Sequence, residues 1–546
     1  MESGEMPVME QVFVYDTTLR DGTQGENINF SAGDKLKIAR KLDEMGVHYI
    51  EGGWPGSNER DESFFAMARA ETFYNARLTA FGSTHKFGIS PAEDRSLNAI
   101  VESGASVATI FGKSWDLHVK KILNIEIEDN LELIRQSVAY LKQHQMETHY
   151  DAEHFFDGYK ENPGYAVQTL KAAVSGGADA IVFCDTNGGA LPHEIEQIII
   201  SVREALFSDP ETADLVRSLR FGIHTHNDSG LAVANTITAV RNGATIVQGT
   251  INGYGERCGN ADLTAIIPIV QLKLGRSCIG EENLKKLRKV SLYVSETANM
   301  APIHSRPFVG KSAFAHKGGV HVNAIMKEPR AYEHMDPVLV GNQRRVLVSD
   351  MAGKSNIEYK AKEMGIDIEG NGVNSSDIVA EVKRLEQQGY QFDVADGTFK
   401  ILIEKLTNQF QPLFELDSFR VTIEKDKDQA CYCHALIKIS VGDVKEITAA
   451  EGHGPVSALD NALRKALNHL YANELDPVHL VDFKVRVLDG SEGTGAKVRV
   501  LIESRDQEQL WSTIGVSEDI IEASWQALAD SFQFKLAKDK QNGVQA

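Results

Sequence analysis

Short apolar runs alternate with longer amphipathic stretches along the first half of the chain. The first run, Val12–Tyr15, combines β-branched and aromatic residues that favour a strand, and Asp34–Met45 repeats its apolar residues at helical spacing. Eight such pairs lie between residues 12 and 275, which is typical of a (β/α)8 barrel, with a doubly wound open sheet as the main alternative. The predicted strands are Val12–Tyr15, His48–Gly52, Leu78–Gly82, Val107–Phe111, Glu147–Tyr150, Ala180–Cys184, Arg220–His224 and Thr245–Gly249.

Beyond residue 280 the alternation stops. Helical patterns such as Glu281–Asn299 and Ser376–Gln388 surround a Gly- and His-rich stretch at Phe308–Ile325. We interpret residues 281–395 as helical linker subdomains that extend a catalytic barrel of residues 8–280.

The pattern of apolar and polar residues changes at residue 396. Strand patterns such as Phe414–Glu424 precede an amphipathic helix at Gly452–Leu467, and strands followed by a helix then recur. This order predicts an α+β domain over residues 396–537, and the polar tail, residues 538–546, is predicted to be disordered. The predicted fold class is therefore α/β: a (β/α)8 TIM barrel, then a helical subdomain and a C-terminal α+β domain.

Polar residues follow most of the predicted barrel strands. Barrel enzymes build their active sites from the carboxyl ends of several strands, because these ends meet at one face. A single polar strand end would mean little, but polar clusters at most of the eight ends predict an active site there. The candidate residues include Arg20, Asp21 and Gln24 after the first strand, Glu51, Tyr150 and Glu153, Thr186, His224 and His226, and Asn260.

His224 and His226 are two residues apart on a predicted strand, so their side chains point to the same face. Two imidazoles at a strand end are suited to bind a divalent cation, and Asp21, Glu51 and Asn260 come from other strand ends at the same rim. The oxygen-rich ligand set favours Mg²⁺ or Mn²⁺, with Zn²⁺ also possible.

Two further residues suggest acid–base and charge-stabilising chemistry. Arg20, beside an acidic metal ligand, could stabilise an enolate or alkoxide oxygen as negative charge develops there. A structural ion pair between Arg20 and Glu51 is the alternative, and it is compatible with that role. Glu153 follows the fifth strand, where a carboxylate could serve as general base or could be an ordinary solvated acid.

Composition narrows the classes of partner. The net charge of −20 disfavours nucleic acids and anionic membranes, because both would be repelled. No apolar run approaches the ~18 residues needed to span a bilayer, and the N-terminus lacks a signal-peptide pattern. Five cysteines without paired C-x-x-C spacing favour a reduced compartment. We therefore predict a cytoplasmic protein without a nucleic-acid or membrane partner.

Three motifs resemble one enzyme family. DTTLRDGTQ (Asp16–Gln24), HTHND (His224–Asp228) and GERCGNADL (Gly255–Leu263) are similar to the signatures of metal-dependent acyl-CoA enzymes that make or break carbon–carbon bonds in a (β/α)8 barrel. The family includes isopropylmalate, citramalate and homocitrate synthases and hydroxymethylglutaryl-CoA lyases. Tyr49–Phe65 and His149–Tyr159 resemble the citramalate synthase branch. GHGPVSALDNALRKAL and WSTIGVSEDIIEASWQAL resemble the C-terminal allosteric and dimerisation domain of the synthases.

The resemblance implies roles for individual residues. It implies a metal site, a ketoacid-binding set, a catalytic glutamate and residues of the helical subdomain that reach a barrel active site. The implied metal ligands are Asp21, His224, His226 and Asn260; the substrate-binding residues are Arg20, Asp21, Glu51, Tyr150 and Thr186; the catalytic residues are Arg20, Glu153, His321 and Tyr332; Gln24 lies behind the metal ligands.

The resemblance also implies an activity and its partners. The expected reaction is a condensation of acetyl-CoA with pyruvate that gives citramalate and free CoA, as part of isoleucine biosynthesis. A homodimer is expected, with a branched-chain amino acid, most simply isoleucine, as effector at the C-terminal domain. Two alternatives stay open: a 2-isopropylmalate synthase, which differs in the size of the ketoacid, and a catalytically silent amino-acid sensor.

Overall fold

The structure is a computed structural model that describes residues 10–544, apart from 369, 371, 426, 428–430, 469–470, 472–474, 490–492, 494 and 508. The chain divides into two compact units, Met1–Phe314 with Met335–Gln343 and Ala315–His334 with Arg344–Ala546. None of the described helices combines the length and the apolar character that crossing a lipid bilayer requires.

A closed barrel of parallel strands forms the centre of the first unit. Within the described residues, eight strands pair in chain order and the last pairs with the first, which confirms the predicted (β/α)8 barrel. Every predicted strand overlaps an observed one. The strands are β1 (Phe13–Asp16), β2 (Tyr49–Gly53), β3 (Arg77–Ser83), β4 (Val107–Lys113), β5 (Glu147–Glu153), β6 (Ala180–Asp185), β7 (Arg220–Thr225) and β8 (Ile246–Gly249).

Amphipathic helices surround the barrel and bury their apolar faces against it. The first begins where the sequence has a capping box: the Ser31 hydroxyl accepts a hydrogen bond from the Asp34 backbone N–H, and the Asp34 carboxylate accepts one from the Ser31 N–H. The helices of this unit are α1 (Ala32–Glu44), α2 (Glu59–Ala68), α3 (Arg95–Glu102), α4 (Asp116–His118), α5 (Ile127–Gln143), α6 (Phe155–Glu161), α7 (Pro163–Ser175), α8 (Pro192–Ser208), α9 (Ala213–Val216), α10 (Ala232–Arg241), α11 (Leu263–Pro268), α12 (Glu281–Leu284) and α13 (Leu287–Thr297).

The second unit begins with a helical region, as predicted. A short two-stranded sheet, with parallel strands, accompanies its helices. The elements are β9 (Ala315–His316), α14 (Gly319–Lys327), β10 (Arg345–Val346), α15 (Lys354–Glu363), α16 (Ser375–Gln387) and α17 (Asp396–Leu406).

Two antiparallel sheets, each packed against one helix, complete the second unit and confirm the predicted α+β domain. The order of three strands and a helix occurs twice, a duplication that the sequence pattern did not indicate. The elements are β11 (Glu415–Glu424), β12 (Tyr432–Val441), β13 (Val444–Gly452) and α18 (Pro455–Asn468), then β14 (His479–Val487), β15 (Val498–Arg505), β16 (Leu510–Ser517) and α19 (Ile520–Val544).

The final helix differs from the prediction of a disordered tail at 538–546. Helix α19 continues to Val544, because no Gly or Pro interrupts the chain before Gly543 and the lysines and glutamine there favour a helix. Residues 545 and 546 lie outside the described residues. The predicted domain boundaries at 280, 395 and 537 stay predictions.

Candidate active site

A cavity of about 240 Å³ opens at the carboxyl ends of the barrel strands. All eight strands, or the turns that follow them, contribute to its lining, as the sequence predicted for this face. Three sides differ in character: a polar cluster, an acidic edge and an aromatic wall. The polar cluster contains Arg20, Asp21, His224 and His226; the acidic edge contains Asp151 and Glu153; the aromatic wall contains Trp54, Phe81 and Phe111.

Three predicted metal ligands meet at the base of this cavity. The Nε2 atom of His224 lies 3.3 Å from Oδ2 of Asp21 and 3.2 Å from Nε2 of His226. Nε2 of His226 lies 4.0 Å from the same Asp21 oxygen. All three side chains are buried. One carboxylate oxygen and two imidazole nitrogens therefore converge on one point, as in a protein site for a divalent cation.

Unpartnered atoms beside this point support a cation site. Oδ1 of Asp21 and Oδ1 of Asn260 are buried, and neither has a hydrogen-bond partner among the described residues. A backbone bridge joins Asn260 to His226, and the Asn260 amide N–H donates to the Tyr254 carbonyl, so its oxygen is the atom left over. Buried acceptors without donors are costly unless a cation binds them. The residues present therefore fit a divalent metal.

Local charges keep two of the ligands in metal-binding protonation states. Burial opposes ionisation of Asp21, but the guanidinium of Arg20 and the neighbouring imidazoles outweigh it and hold the pKa of its carboxyl well below the ordinary value. Burial, together with the neighbouring His224, lowers the pKa of His226 to about 3. An ionised Asp21 and a neutral His226 are the forms that can bind a cation.

Arg20 lies between the metal ligands and the aromatic wall. Its Nε donates to Oε1 of Glu51 at 2.5 Å, its Nη1 lies 3.3 Å from Oδ2 of Asp21, and its guanidinium carbon lies 3.7 Å from the centre of the Phe81 ring. Neighbouring Glu51 and Asp21 outweigh the effect of burial and raise the pKa of Arg20. The guanidinium is therefore a fixed positive charge inside the cavity.

Glu51 supports Arg20 from beneath and does not line the cavity. Its side chain is fully buried, and its Oε2 accepts a hydrogen bond from the Tyr15 hydroxyl at 2.6 Å. The prediction of direct substrate contact by Glu51 is therefore corrected: both carboxylate oxygens are already engaged by Arg20 and Tyr15. The structure instead contains the alternative that the sequence left open, an ion pair between Arg20 and Glu51 that orients Arg20.

Glu153 lines the cavity, as predicted, at the end of β5. Lys113, at the end of β4, forms an ion pair with its carboxylate. Thr186, which also lines the cavity, accepts a hydrogen bond through Oγ1 from the backbone N–H of His154 at 2.9 Å. His154 itself adopts a left-handed conformation with φ of 54°. This turn brings the carboxylate and the threonine to the same cavity.

Tyr150, predicted to contact a ketoacid, lies on the wrong face of β5. It is fully buried in the apolar layer between the barrel and its helices, and its hydroxyl lies 3.3 Å from that of Ser114. Successive strand residues point to opposite faces, so Tyr150 points outward while Asp151 points inward. The structure thus corrects Tyr150 and places Asp151 in the cavity lining.

Lys113 and the aromatic wall are further features of the site that the sequence pattern did not indicate. Phe81 and Phe111 stack with ring centres 5.6 Å apart, and Trp54 meets both rings edge-on at 5.7 Å. Strict alternation along β3 and β4 could have indicated that these two phenylalanines face inward. Lys113 had no signal of its own, because its partner Glu153 is 40 residues away in the chain.

Three other predicted site residues are Gln24, His321 and Tyr332. Gln24, predicted to lie behind the metal ligands, is instead an exposed residue of the cavity lining. His321 and Tyr332 belong to the second unit, where their rings stack with centres 4.3 Å apart, and both side chains are exposed. The catalytic roles of His321 and Tyr332 stay predictions.

Comparison with known proteins identifies the family of the barrel that contains this cavity. The profile of the HMGL-like family matches residues 11–294, the span of the barrel. The chain belongs to the HMGL-like family. Two further profiles match after its barrel: the homocitrate synthase post-HMGL domain-like family at residues 308–390 and the LeuA allosteric (dimerisation) domain at residues 393–536.

Relatives of this HMGL-like protein match it over nearly its whole length. It is 52% identical to the (R)-citramalate synthase of Geobacter sulfurreducens, over 98% of this chain and 99% of the relative. It is 50% identical to the (R)-citramalate synthase of Aquifex aeolicus, with the same coverage. The corresponding enzyme of Synechocystis is 48% identical over 96% of each chain. The resemblance drawn from the motifs is therefore confirmed.

Proposed function

We propose that this protein is an (R)-citramalate synthase, which joins acetyl-CoA to pyruvate and releases citramalate and CoA. The observation that carries the proposal is the convergence of Asp21, His224 and His226 beside Arg20 and within one cavity with Glu153. The identity of 45–52% to five (R)-citramalate synthases supports the choice of substrates.

The cation site has a defined place in this proposal. Asp21, His224 and His226 would hold a divalent metal, with Oδ1 of Asn260 as a fourth ligand atom. Mg²⁺ or Mn²⁺ is proposed, with Zn²⁺ as the alternative. When bound, the metal would orient the ketoacid and polarise its carbonyl as a Lewis acid.

Glu153 is assigned the role of base. Its carboxylate takes a proton from the methyl group of the acetyl thioester, which leaves an enolate. The ion pair with Lys113 holds the carboxylate at the cavity edge. The proton then resides on Glu153, from which it can leave to water.

Arg20 is assigned the stabilisation of oxyanions. The enolate carbon attacks the ketone carbon of pyruvate, a carbon–carbon bond forms, and the ketone π electrons become an alkoxide that takes up a proton. The guanidinium is held in place by Glu51, so its charge is already oriented when these anions develop. Water then cleaves the thioester, giving the second carboxylate of citramalate and the thiol of CoA.

The aromatic wall supports a small ketoacid. Trp54, Phe81 and Phe111 fill one side of a cavity of about 240 Å³. A methyl side chain needs less room there than an isopropyl group, and hydrophobic discrimination of this kind is worth about 1–3 kcal/mol per methylene. Pyruvate is therefore proposed in preference to 2-ketoisovalerate.

The second unit is proposed to regulate and dimerise the enzyme. The match to the LeuA allosteric (dimerisation) domain supports a homodimer and an allosteric role. A branched-chain amino acid, isoleucine, is proposed as the feedback effector from the family resemblance. His321 and Tyr332 remain proposed catalytic residues on the basis of the family motifs. The five free cysteines are consistent with the proposed cytoplasmic location.

A thiol-release assay tests the function. The purified full-length protein is incubated with acetyl-CoA and a panel of 2-ketoacids, with and without EDTA, and free CoA is measured. We expect release with pyruvate, loss of release with EDTA, and recovery when Mn²⁺ or Mg²⁺ is added back.

Three outcomes would contradict the proposal. A preference for 2-ketoisovalerate would indicate an isopropylmalate synthase. An absence of thiol release with every ketoacid, in protein that still binds isoleucine, would indicate a silent sensor. Full activity after thorough removal of metal would exclude the assigned role of the cation site.

A further inference from the structure

Gln248 lies behind the cation site and contacts one of its ligands. It is on β8, directly opposite His224 on β7 in the strand register, and its side chain is fully buried inside the barrel. Its Oε1 atom lies 2.9 Å from Nδ1 of His224, and its Nε2 lies 3.1 Å from Oδ1 of Asp151. Asp151 and His224 are themselves buried. The amide thus connects a carboxylate of the cavity lining to a metal ligand.

The chemistry of the three groups sets the direction of this chain. The NH₂ group of Gln248 faces Oδ1 of Asp151, to which it donates a hydrogen bond. The amide oxygen then faces His224, and Nδ1 of that imidazole must carry the proton. In the neutral imidazole, Nε2, the atom that points to Asp21 and His226, is then left with its lone pair. Only this tautomer presents a ligand atom to a cation at the site.

We propose that Gln248, oriented by Asp151, is a positioning residue that fixes the His224 tautomer and thereby sets the affinity of the metal site. This inference rests on the proposed function in one respect, namely that a divalent cation binds at Asp21, His224 and His226. Hydrogen-bonding partners of metal-bound histidines fix ring orientation and raise ligand basicity, and their loss costs about 10–100-fold in metal affinity.

The test measures Mn²⁺ binding directly, without turnover. Metal-free full-length protein is titrated with Mn²⁺, and free Mn²⁺ is followed by electron paramagnetic resonance. The variant Gln248→Met has a similar volume but makes neither hydrogen bond. We expect its Kd for Mn²⁺ to rise about 10–100-fold relative to the wild type.

A double variant separates tautomer control from packing. Gln248→Glu combined with Asp151→Asn exchanges donor and acceptor between the two positions, yet keeps an acceptor in front of Nδ1 of His224. We expect its Kd for Mn²⁺ to return close to the wild-type value. The control is Thr79→Val on β3, since the Thr79 hydroxyl is buried in the barrel and has no hydrogen-bond partner in the described part of the chain. Its Kd should equal that of the wild type.

The outcomes test the proposed cation site and the role of Gln248 separately. A wild-type protein that does not bind Mn²⁺ would overturn the proposed cation site itself. A wild-type protein that binds, together with a folded Gln248→Met variant of unchanged Kd, would overturn only the role of Gln248. If Gln248→Met and the double variant lose affinity equally, an acceptor in front of Nδ1 of His224 does not set the affinity, and the proposed tautomer control is wrong. If Gln248→Met does not fold, weakened Mn²⁺ binding by a folded double variant still overturns the proposed tautomer control.

Discussion

The two ends of the barrel carry similar residues, but they differ in how far donors satisfy their carboxylate oxygens. At the amino end, one carboxylate, Glu147, is surrounded by donors. The Tyr49 hydroxyl donates to it at 2.8 Å, Nε2 of His149 lies 2.8 Å away, and Arg77 and Arg220 form ion pairs with it. Both carboxylate oxygens of Glu147 therefore have partners.

At the carboxyl end, the Asp21 carboxylate meets two imidazoles, and one of its oxygens has no hydrogen-bond partner among the described residues. Both ends thus combine an acid, histidine and arginine, and residue type does not distinguish them. The balance of donors and acceptors does. A satisfied cluster stabilises the fold, whereas a cluster with surplus acceptors is suited to bind a cation.

The largest effect that would test this comparison is expected at the carboxyl end. His224→Ala should abolish Mn²⁺ binding and lower turnover by about 10³-fold or more, because the Lewis-acid contribution of a metal is worth several kcal/mol. Titration with Mn²⁺ and the thiol-release assay measure the two effects. The matched control is His149→Gln at the amino end, which should bind Mn²⁺ normally. Equal loss of metal binding in both variants would refute the distinction between the two ends.

A smaller loss of turnover is expected when the metal ligands are kept and only the positive charge of Arg20 beside them is removed. Arg20→Ala should leave Mn²⁺ bound but lower turnover by about 10²–10³-fold, as removal of an oxyanion-stabilising donor does elsewhere. Because this variant leaves Glu51 buried without its partner, Arg20→Lys serves as a second variant that keeps a cation for Glu51. A near-normal rate in folded Arg20→Ala would remove Arg20 from the catalytic residues.

At the amino end the expected effect is on stability. Glu147→Gln should lower the free energy of unfolding by about 2–4 kcal/mol, because Arg77 and Arg220 each lose their ion pair with this carboxylate. Thermal unfolding measures this change. Binding of Mn²⁺ should stay at the wild-type level, and a variant with normal stability but weakened metal binding would contradict the assignment.

The smallest effect depends on pH. Burial, together with the neighbouring Arg220, lowers the pKa of His149 from its ordinary 6.5 to about 3. The folded state therefore favours the neutral imidazole, so its contribution to stability is complete above pH 6.5 and is lost as the pH falls towards 3. Between pH 7 and pH 5 the wild type should lose about 2 kcal/mol more stability than His149→Gln. Parallel losses in thermal unfolding of the two proteins would show that His149 does not titrate in this way.

Part of the candidate site was predictable because a parallel barrel makes local patterns informative. Polar residues at strand ends must meet at one face, so Asp21, His224 and His226 could be placed together without knowledge of any contact. Each predicted barrel strand overlaps an observed one for a related reason: apolar runs bounded by polar turns are local signals.

The remainder depended on details that local patterns do not resolve. The predicted strand β5 ended at Tyr150, whereas the observed strand continues to Glu153, and inward and outward residues alternate along it. A shift of one residue decides whether Tyr150 or Asp151 lines the cavity. In the second unit, strands β13 and β16 were missed, although their sheets and helices were predicted.

The sequence by itself determined the barrel and the α+β domain, and it indicated the candidate ligands of the proposed cation site, because each depends on periodicity or on the order of elements. Only the tertiary structure decided which groups those residues meet: Glu51 beneath Arg20, Lys113 beside Glu153, and Gln248 behind His224. These partners are 24 to 40 residues apart in the chain. Barrel closure brings them within hydrogen-bonding distance, and no local pattern specifies such pairs.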